Sequence, residues 1–99
     1  MLDISKEQNG NKLVVKLAGR LDTSTAPSLE EELKDATGGI SELVFDMAGL
    51  EYISSAGLRV LLAMQKVMNA QGSMKITGAN ENIMEIFEVT GFVDILSFE

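Results

Sequence analysis

The spacing of apolar positions changes repeatedly along the chain, and each change marks an element. Leu13, Val15 and Leu17 sit two apart, with Val14 between them, bounded by Asn9-Gly10-Asn11 and Gly19. That period predicts a well-buried strand. Leu2, Ile4 and Lys6 alternate before it, and Asn-Gly is a strong hairpin signal, so residues 2–8 and 12–18 are expected to pair antiparallel. From Thr23 the period lengthens. Ala26, Leu29, Leu33 and Ala36 share one helical face behind a cluster of Ser, Thr and Pro27. Glu30, Glu31 and Glu32 are expected in or near the first turns, where acidic groups suit the helix dipole, and Gly38-Gly39 ends the helix. Leu43, Val44, Phe45 and Met47 predict a second buried strand closed by Ala48-Gly49. Ser54-Ser55 opens the longest helical pattern, carried by Leu58, Leu61, Leu62, Val67 and Met68 to Gly72. Met74 and Ile76 predict a short strand. Asn80 can cap a third helix through Ile83, Met84, Ile86 and Phe87, stopped at Gly91. Ile95, Leu96 and Phe98 suggest a final edge strand.

The expected order is β-β-α-β-α-β-α-β, an α/β class. Strands alternating with helices call for right-handed crossovers and a mainly parallel sheet, with the first strand antiparallel at an edge. Ligands of such sheets gather beyond the carboxyl ends of the strands. Three segments are expected at that rim: Arg20 to Thr23, Asp46 to Ser55, and Gly78 to Asn80.

Composition then narrows the chemistry. Ninety-nine residues with 45% apolar and 23% charged positions describe one small globular domain, residues 1–99. Fifteen acidic residues against eight basic ones give a formal charge of −7, which disfavours nucleic acid and anionic membrane surfaces as partners. There is no Cys and no His. Thiolate metal sites, cysteine nucleophiles and histidine acid–base catalysis are therefore excluded. The charged N-terminus lacks the apolar core of a signal peptide, and the aliphatic run Val60 to Met64 is far too short for a bilayer span, so a cytoplasmic location is expected.

Few residues remain that could carry chemistry. Asp22 and Asp46 could lie side by side on the rim, near Glu51, for acid–base work or Mg²⁺. The structural alternative is that Asp22 helps cap the first helix and Asp46 satisfies backbone N–H groups at a strand end. No GxGxxG or GxxxxGK[ST] loop is present. The methionines are scattered as core filling, and Arg59 and Lys66 are expected to face solvent. Ser54 and Ser55 stand out. One serine at a helix N-terminus is a cap; the second has a hydroxyl that capping leaves unused, where an added phosphate is tolerated. The residues alone point to a phosphorylatable surface serine.

The segment Tyr52-Ile53-Ser54-Ser55-Ala56-Gly57-Leu58 resembles the STAS family, the domain of bacterial anti-sigma factor antagonists. The likeness extends through Leu17 to Ala26, Leu43 to Met47, Gly72 to Ile76 and Ile86 to Phe92, most of the chain in order. It implies a STAS-like single domain acting as a partner-switching module, not an enzyme and without a cofactor. The unphosphorylated protein would bind an anti-sigma factor that is also a serine kinase. That kinase would phosphorylate a serine within Ile53 to Leu58 and break the complex, and a metal-dependent serine phosphatase would restore it. Some relatives read Asp-Ser-Ser-Gly-Leu, which puts the acceptor on Ala56 of this chain; others carry the Ser-Ser-Ala-Gly-Leu seen here. Ser55 is taken as the acceptor, with Ser54 second. The partner face is expected to include Asp22, Thr23, Asp46, Glu51, Tyr52, Ile53, Ser54, Ser55, Ala56, Gly57 and Arg59. The alternatives are a small protein binding ATP or GTP, and a scaffold that is never phosphorylated.

Overall fold

A computed structural model describes all 99 residues. Strands β1 (Leu2–Asn9) and β2 (Lys12–Leu21) form the expected antiparallel hairpin, with Ile4 opposite Leu17. Helix α1 (Ala26–Ala36) leads to β3 (Glu42–Ile53), helix α2 (Ser55–Gln71) to β4 (Ser73–Thr77), and α3 (Glu81–Val89) follows. The sheet runs in the order β1-β2-β3-β4, with β2, β3 and β4 parallel. The strand order never reverses, so right-handed crossovers lay α1 and α2 on the same face. That face holds the core. Leu13, Val15 and Leu17 of β2, Leu43, Phe45 and Met47 of β3, and Met74 and Ile76 of β4 join Leu29, Leu33, Leu61, Met68, Ile83 and Phe87 from the helices in one cluster of 23 buried residues.

Two features depart from the sequence expectation. The first is β3, which does not close at Ala48-Gly49 but runs on to Ile53. Lys16 pairs with Asp46 yet Ala18 pairs with Gly49, and Gly19 pairs with Leu50 yet Arg20 pairs with Tyr52. Each step admits an extra residue on β3, and each such bulge shifts the phase of the strand. Past Phe45 the buried positions become Met47, Leu50 and Ile53, three apart, which is why a period of two ends at Met47.

The second departure is the C-terminus. No final strand forms. Phe92–Asp94 winds into a short 3₁₀ turn behind Gly91, whose φ of 80° suits a residue without a Cβ. The tail meets the sheet in a single parallel bridge of Phe98 to Ile76, in which the Ile76 N–H donates to the Ser97 carbonyl at 2.9 Å and the Glu99 N–H to the Ile76 carbonyl at 3.0 Å. The Phe98 ring sits 5.2 Å from that of Phe87, which closes the bottom of the core. Alternating apolar residues here serve packing rather than a ladder.

Helix α1 starts at Ala26, with Pro27 at its first positions, so Glu30 to Glu32 fall beyond the first turn. Glu32 instead pairs with Lys6 of β1 at 3.2 Å, across the edge of the sheet.

Candidate functional site

The carboxyl ends of β2 and β3 and the start of α2 are fastened together by backbone. The Ser54 N–H donates to the Leu21 carbonyl at 2.9 Å, carrying the pairing of Leu21 with Ile53 one step further. Ser54 then turns the chain into α2: its backbone is extended (φ −98°, ψ 176°), and its Oγ accepts from the Gly57 N–H at 3.5 Å. This is N-cap geometry, long but correctly placed. Gly57 lets the helix come close. A Cβ there would lie 2.7 Å from Leu21 Cγ and 2.9 Å from Ile53 Cγ1, closer than packed carbons tolerate. Leu21 and Ile53 are themselves fully buried beneath it.

Ser55 is the first residue inside α2. Its side chain is exposed, and its hydroxyl makes no hydrogen bond. The positive end of the helix dipole lies beside it, and α2 has no acidic residue in its first turn to meet that charge. The two serines thus divide as expected: Ser54 is the cap, and Ser55 presents a free hydroxyl.

Across the rim, Asp22 organises the turn between β2 and α1. Its Oδ1 accepts from the Ser24 hydroxyl at 2.7 Å, the Ser24 N–H at 3.0 Å and the Thr25 N–H at 3.2 Å. These bonds favour the ionised form. The Ser24 hydroxyl is the largest influence, and together with the two N–H groups it holds the Asp22 carboxyl below the usual carboxylate range against a smaller opposing desolvation. The Thr25 hydroxyl closes the same turn, donating to the Arg20 carbonyl at 2.8 Å and accepting from the Asp22 N–H at 2.9 Å. Asp22 is thus structural, as the alternative reading has it, but it fastens the turn ahead of α1 instead of capping the helix, whose N-cap residue is Thr25.

Arg20, expected at the rim but not among the partner residues, anchors it. The second bulge sets it beside Tyr52, with its guanidinium 4.4 Å from the centre of the Tyr52 ring, and its Nε lies 3.7 Å from Asp22 Oδ2. Cation–π pairing of this kind stiffens two side chains that both stay in contact with water. No residue pattern signals this pair, because it depends on a register set by two bulges.

The expected members of the face separate into four groups. Asp22, Thr23, Tyr52, Ser54, Ser55, Ala56 and Arg59 come together around the end of β2 and the first turns of α2. Arg59 is exposed, as expected, and borders a groove of about 280 Å³ between α1 and α2 with Thr23, Ala26, Pro27, Glu30, Ala56 and Val60. Ile53 and Gly57 belong to the same segment but are buried, so they hold the face rather than form it. Glu51 lies exposed on β3 at the second bulge.

Asp46 does not belong. It pairs with Lys16 and Thr77 in mid-sheet, on the face opposite the helices, and its Oδ1 accepts from the Ala48 N–H at 3.0 Å. From Lys16 to Asp22 the strand advances about 20 Å at roughly 3.3 Å per residue, so the two carboxylates cannot share a proton or a cation. The expectation of an Asp22–Asp46 pair fails because β3 continues past Asp46 instead of ending there. No group of three acidic side chains gathers anywhere to hold a metal ion. No helix is long and apolar enough to cross a membrane.

The STAS domain family profile matches residues 3–99. The chain is 30% identical over 96 residues to the anti-sigma-B factor antagonist of Bacillus subtilis, covering 96% of this chain and 88% of that protein. Among solved structures it resembles an anti-sigma factor antagonist from Mycobacterium paratuberculosis, with a TM-score of 0.89 at 21% identity over 99% of this chain and 85% of that one. It also resembles the Bacillus cell fate determinant SpoIIAA in its phosphorylated form, with a TM-score of 0.77 at 16% identity over 98% of this chain and 91% of that one. These two structural likenesses speak to the fold.

Proposed function

Because the chain belongs to the STAS domain family, we propose that it is an anti-sigma factor antagonist switched by phosphorylation of Ser55. In this reading the unphosphorylated face around Arg20, Tyr52 and the first turn of α2 binds an anti-sigma factor that is a serine kinase. The bound kinase then uses the face as its substrate. The Ser55 hydroxyl oxygen attacks the γ-phosphorus of ATP, a new O–P bond forms, the bond to the β-phosphate oxygen breaks to release ADP, and the serine proton passes to a base of the kinase. A metal-dependent serine phosphatase returns Ser55 to the free hydroxyl.

The single observation that carries this proposal is the division of labour at the start of α2. Ser54 is engaged as the cap, whereas the neighbouring Ser55 hydroxyl is exposed and unbonded. A phosphate of about −1.5 to −2 charges added there sits beside the positive end of a long helix, so the fold is retained. The contact face, by contrast, gains a charge that must be desolvated on binding. Arg20 and Tyr52 are of the residue types that dominate interfaces, and they are held ready by their mutual contact.

Nucleotide binding by this chain finds no comparable support. A sheet whose strand order never reverses has no switch-point crevice, and no glycine-rich loop precedes any of its helices.

The test is a binding experiment with serine-kinase anti-sigma factors encoded in the same genome. One of them should form a stable complex with the protein in ADP, and ATP should dissolve that complex. With Ser55→Ala the complex should persist in ATP. Failure of every such kinase to bind, or a wild-type complex indifferent to ATP, contradicts the proposal.

A further inference from the structure

Arg59 lies four residues beyond Ser55 on α2. That spacing puts two side chains on one helix face, and long side chains can lean back towards the N-terminus, which brings Ser55 within the range of an Arg59 rotamer. An acidic group four residues before a basic one is also the favourable order for a helical ion pair.

Arg59 is one of four basic residues outside any ion pair, with Lys16, Lys34 and Lys66, and of these it alone lies on the first turns of α2. The four ion pairs in the structure use Lys6, Lys12, Arg20 and Lys75, and none uses Arg59. The other arginine of the rim, Arg20, is committed to Tyr52 and Asp22. Arg59 instead borders the α1–α2 groove, where Glu30 is the one carboxylate and stays beyond ion-pair distance. No acidic residue in the first turn of α2 competes for it. It is an exposed cation one helical turn from the proposed modification, in no ion pair and no side-chain hydrogen bond.

We infer that Arg59 reads the state of Ser55: once Ser55 carries a phosphate, the guanidinium leaves the groove and pairs with that phosphate across one turn of α2. This rests on Ser55 being the acceptor. Its consequence is that phosphorylation changes two surfaces together. The first turn of α2 gains a screened anion, and the groove loses its cation while keeping Glu30. A partner that sets a carboxylate against Arg59 is thereby refused at the groove as well as at Ser55.

The test bypasses the kinase by installing phosphoserine at position 55 during translation and following its titration by ³¹P NMR at low salt. A free phosphoserine loses its second proton near about pH 6. The phosphate should titrate lower with Arg59 present than in Arg59→Gln, by about 0.15 to 0.4 of a pH unit, as an i,i+4 ion pair on a helix allows. Arg59→Lys should keep part of that difference. Lys66→Gln, which removes one exposed positive charge from a later turn, should titrate like the wild type. Identical titration of Arg59→Gln and the wild type overturns the inference, as does an equal change from Lys66→Gln. Because the phosphate is placed at position 55 without a kinase, these outcomes judge Arg59 alone. An error in the acceptor itself would instead be seen as kinase-transferred phosphate on another residue.

Discussion

Two helices begin at the same rim of the sheet, and they begin differently. At α3, Asn80 caps with a 2.9 Å bond from the Ile83 N–H to its Oδ1, and its Nδ2 donates to the Leu50 carbonyl at 3.1 Å. Glu81 supplies a negative charge in the first turn. That start is complete: the cap is short, it is tied to β3, and the dipole is met. At α2 the cap bond is 3.5 Å, the first turn has no acid, and Ser55 has a hydroxyl with no partner. Good capping was available to this chain and was used at α3. The incompleteness of α2 marks the place where a charge can be added without dismantling a bond.

The body of α2 is held by its buried Leu58, Leu61, Met64 and Met68, and its first turn, given so weak a cap, by close packing at Gly57. The sharpest way to break the comparison is therefore Gly57→Ala. The new methyl meets Leu21 and Ile53 at 2.7 and 2.9 Å, so denaturant unfolding should show a loss of about 1–3 kcal/mol, the usual cost of overpacking a tight core. A change near zero would mean that the end of β2 yields freely and that the rim is not rigid.

The caps themselves come next. Asn80→Ala removes a short cap bond and an inter-element bond together and should cost about 1–2 kcal/mol. Ser54→Ala should cost about 0.5 kcal/mol, at the low end for a cap, because the bond it removes is long. Equal losses would erase the distinction between the two helix starts. Ser55→Ala should fall within about 0.5 kcal/mol of the wild type, as expected of an exposed side chain with no bonds.

The smallest effect concerns the turn that backs the rim. With its carboxyl held below the usual range, Asp22 stabilises the turn above the ordinary carboxylate value of about 3.9, and that stabilisation is lost as pH falls through its own lower value. Ser24→Ala deletes the strongest of the bonds responsible, so Asp22 should titrate closer to the ordinary value by carboxyl ¹³C NMR. An unchanged titration would show that the backbone N–H groups suffice.

Much of this molecule was legible in sequence, and the failures share a cause. Strands β1, β2 and β4 and all three helices follow from local periods, because each of those elements keeps one period from end to end. β3 does not. Its two bulges turn a period of two into a period of three, so the stretch from Ala48 to Ile53 reads as a loop and Asp46 is wrongly brought to the rim. The Arg20–Tyr52 contact depends on the same register and was invisible for the same reason. At the C-terminus, Ile95, Leu96 and Phe98 have the alternation of a strand, but Gly91 and the turn after it feed Leu96 and Phe98 into the core one at a time. That one of Ser54 and Ser55 caps and leaves the other free was legible because capping is local chemistry; which of them caps depends on the Gly57 N–H reaching Ser54 Oγ in the folded chain.

The most direct test of the central claim is mass-spectrometric mapping of the phosphate after incubation with the cognate serine kinase and ATP, run in parallel on wild type, Ser54→Ala and Ser55→Ala. Wild type and Ser54→Ala should each carry one phosphate on Ser55, and Ser55→Ala should carry none. Phosphate on Ser54 of the wild type, or Ser55→Ala modified at the wild-type rate, would contradict the assignment of cap and acceptor on which the proposed switch depends.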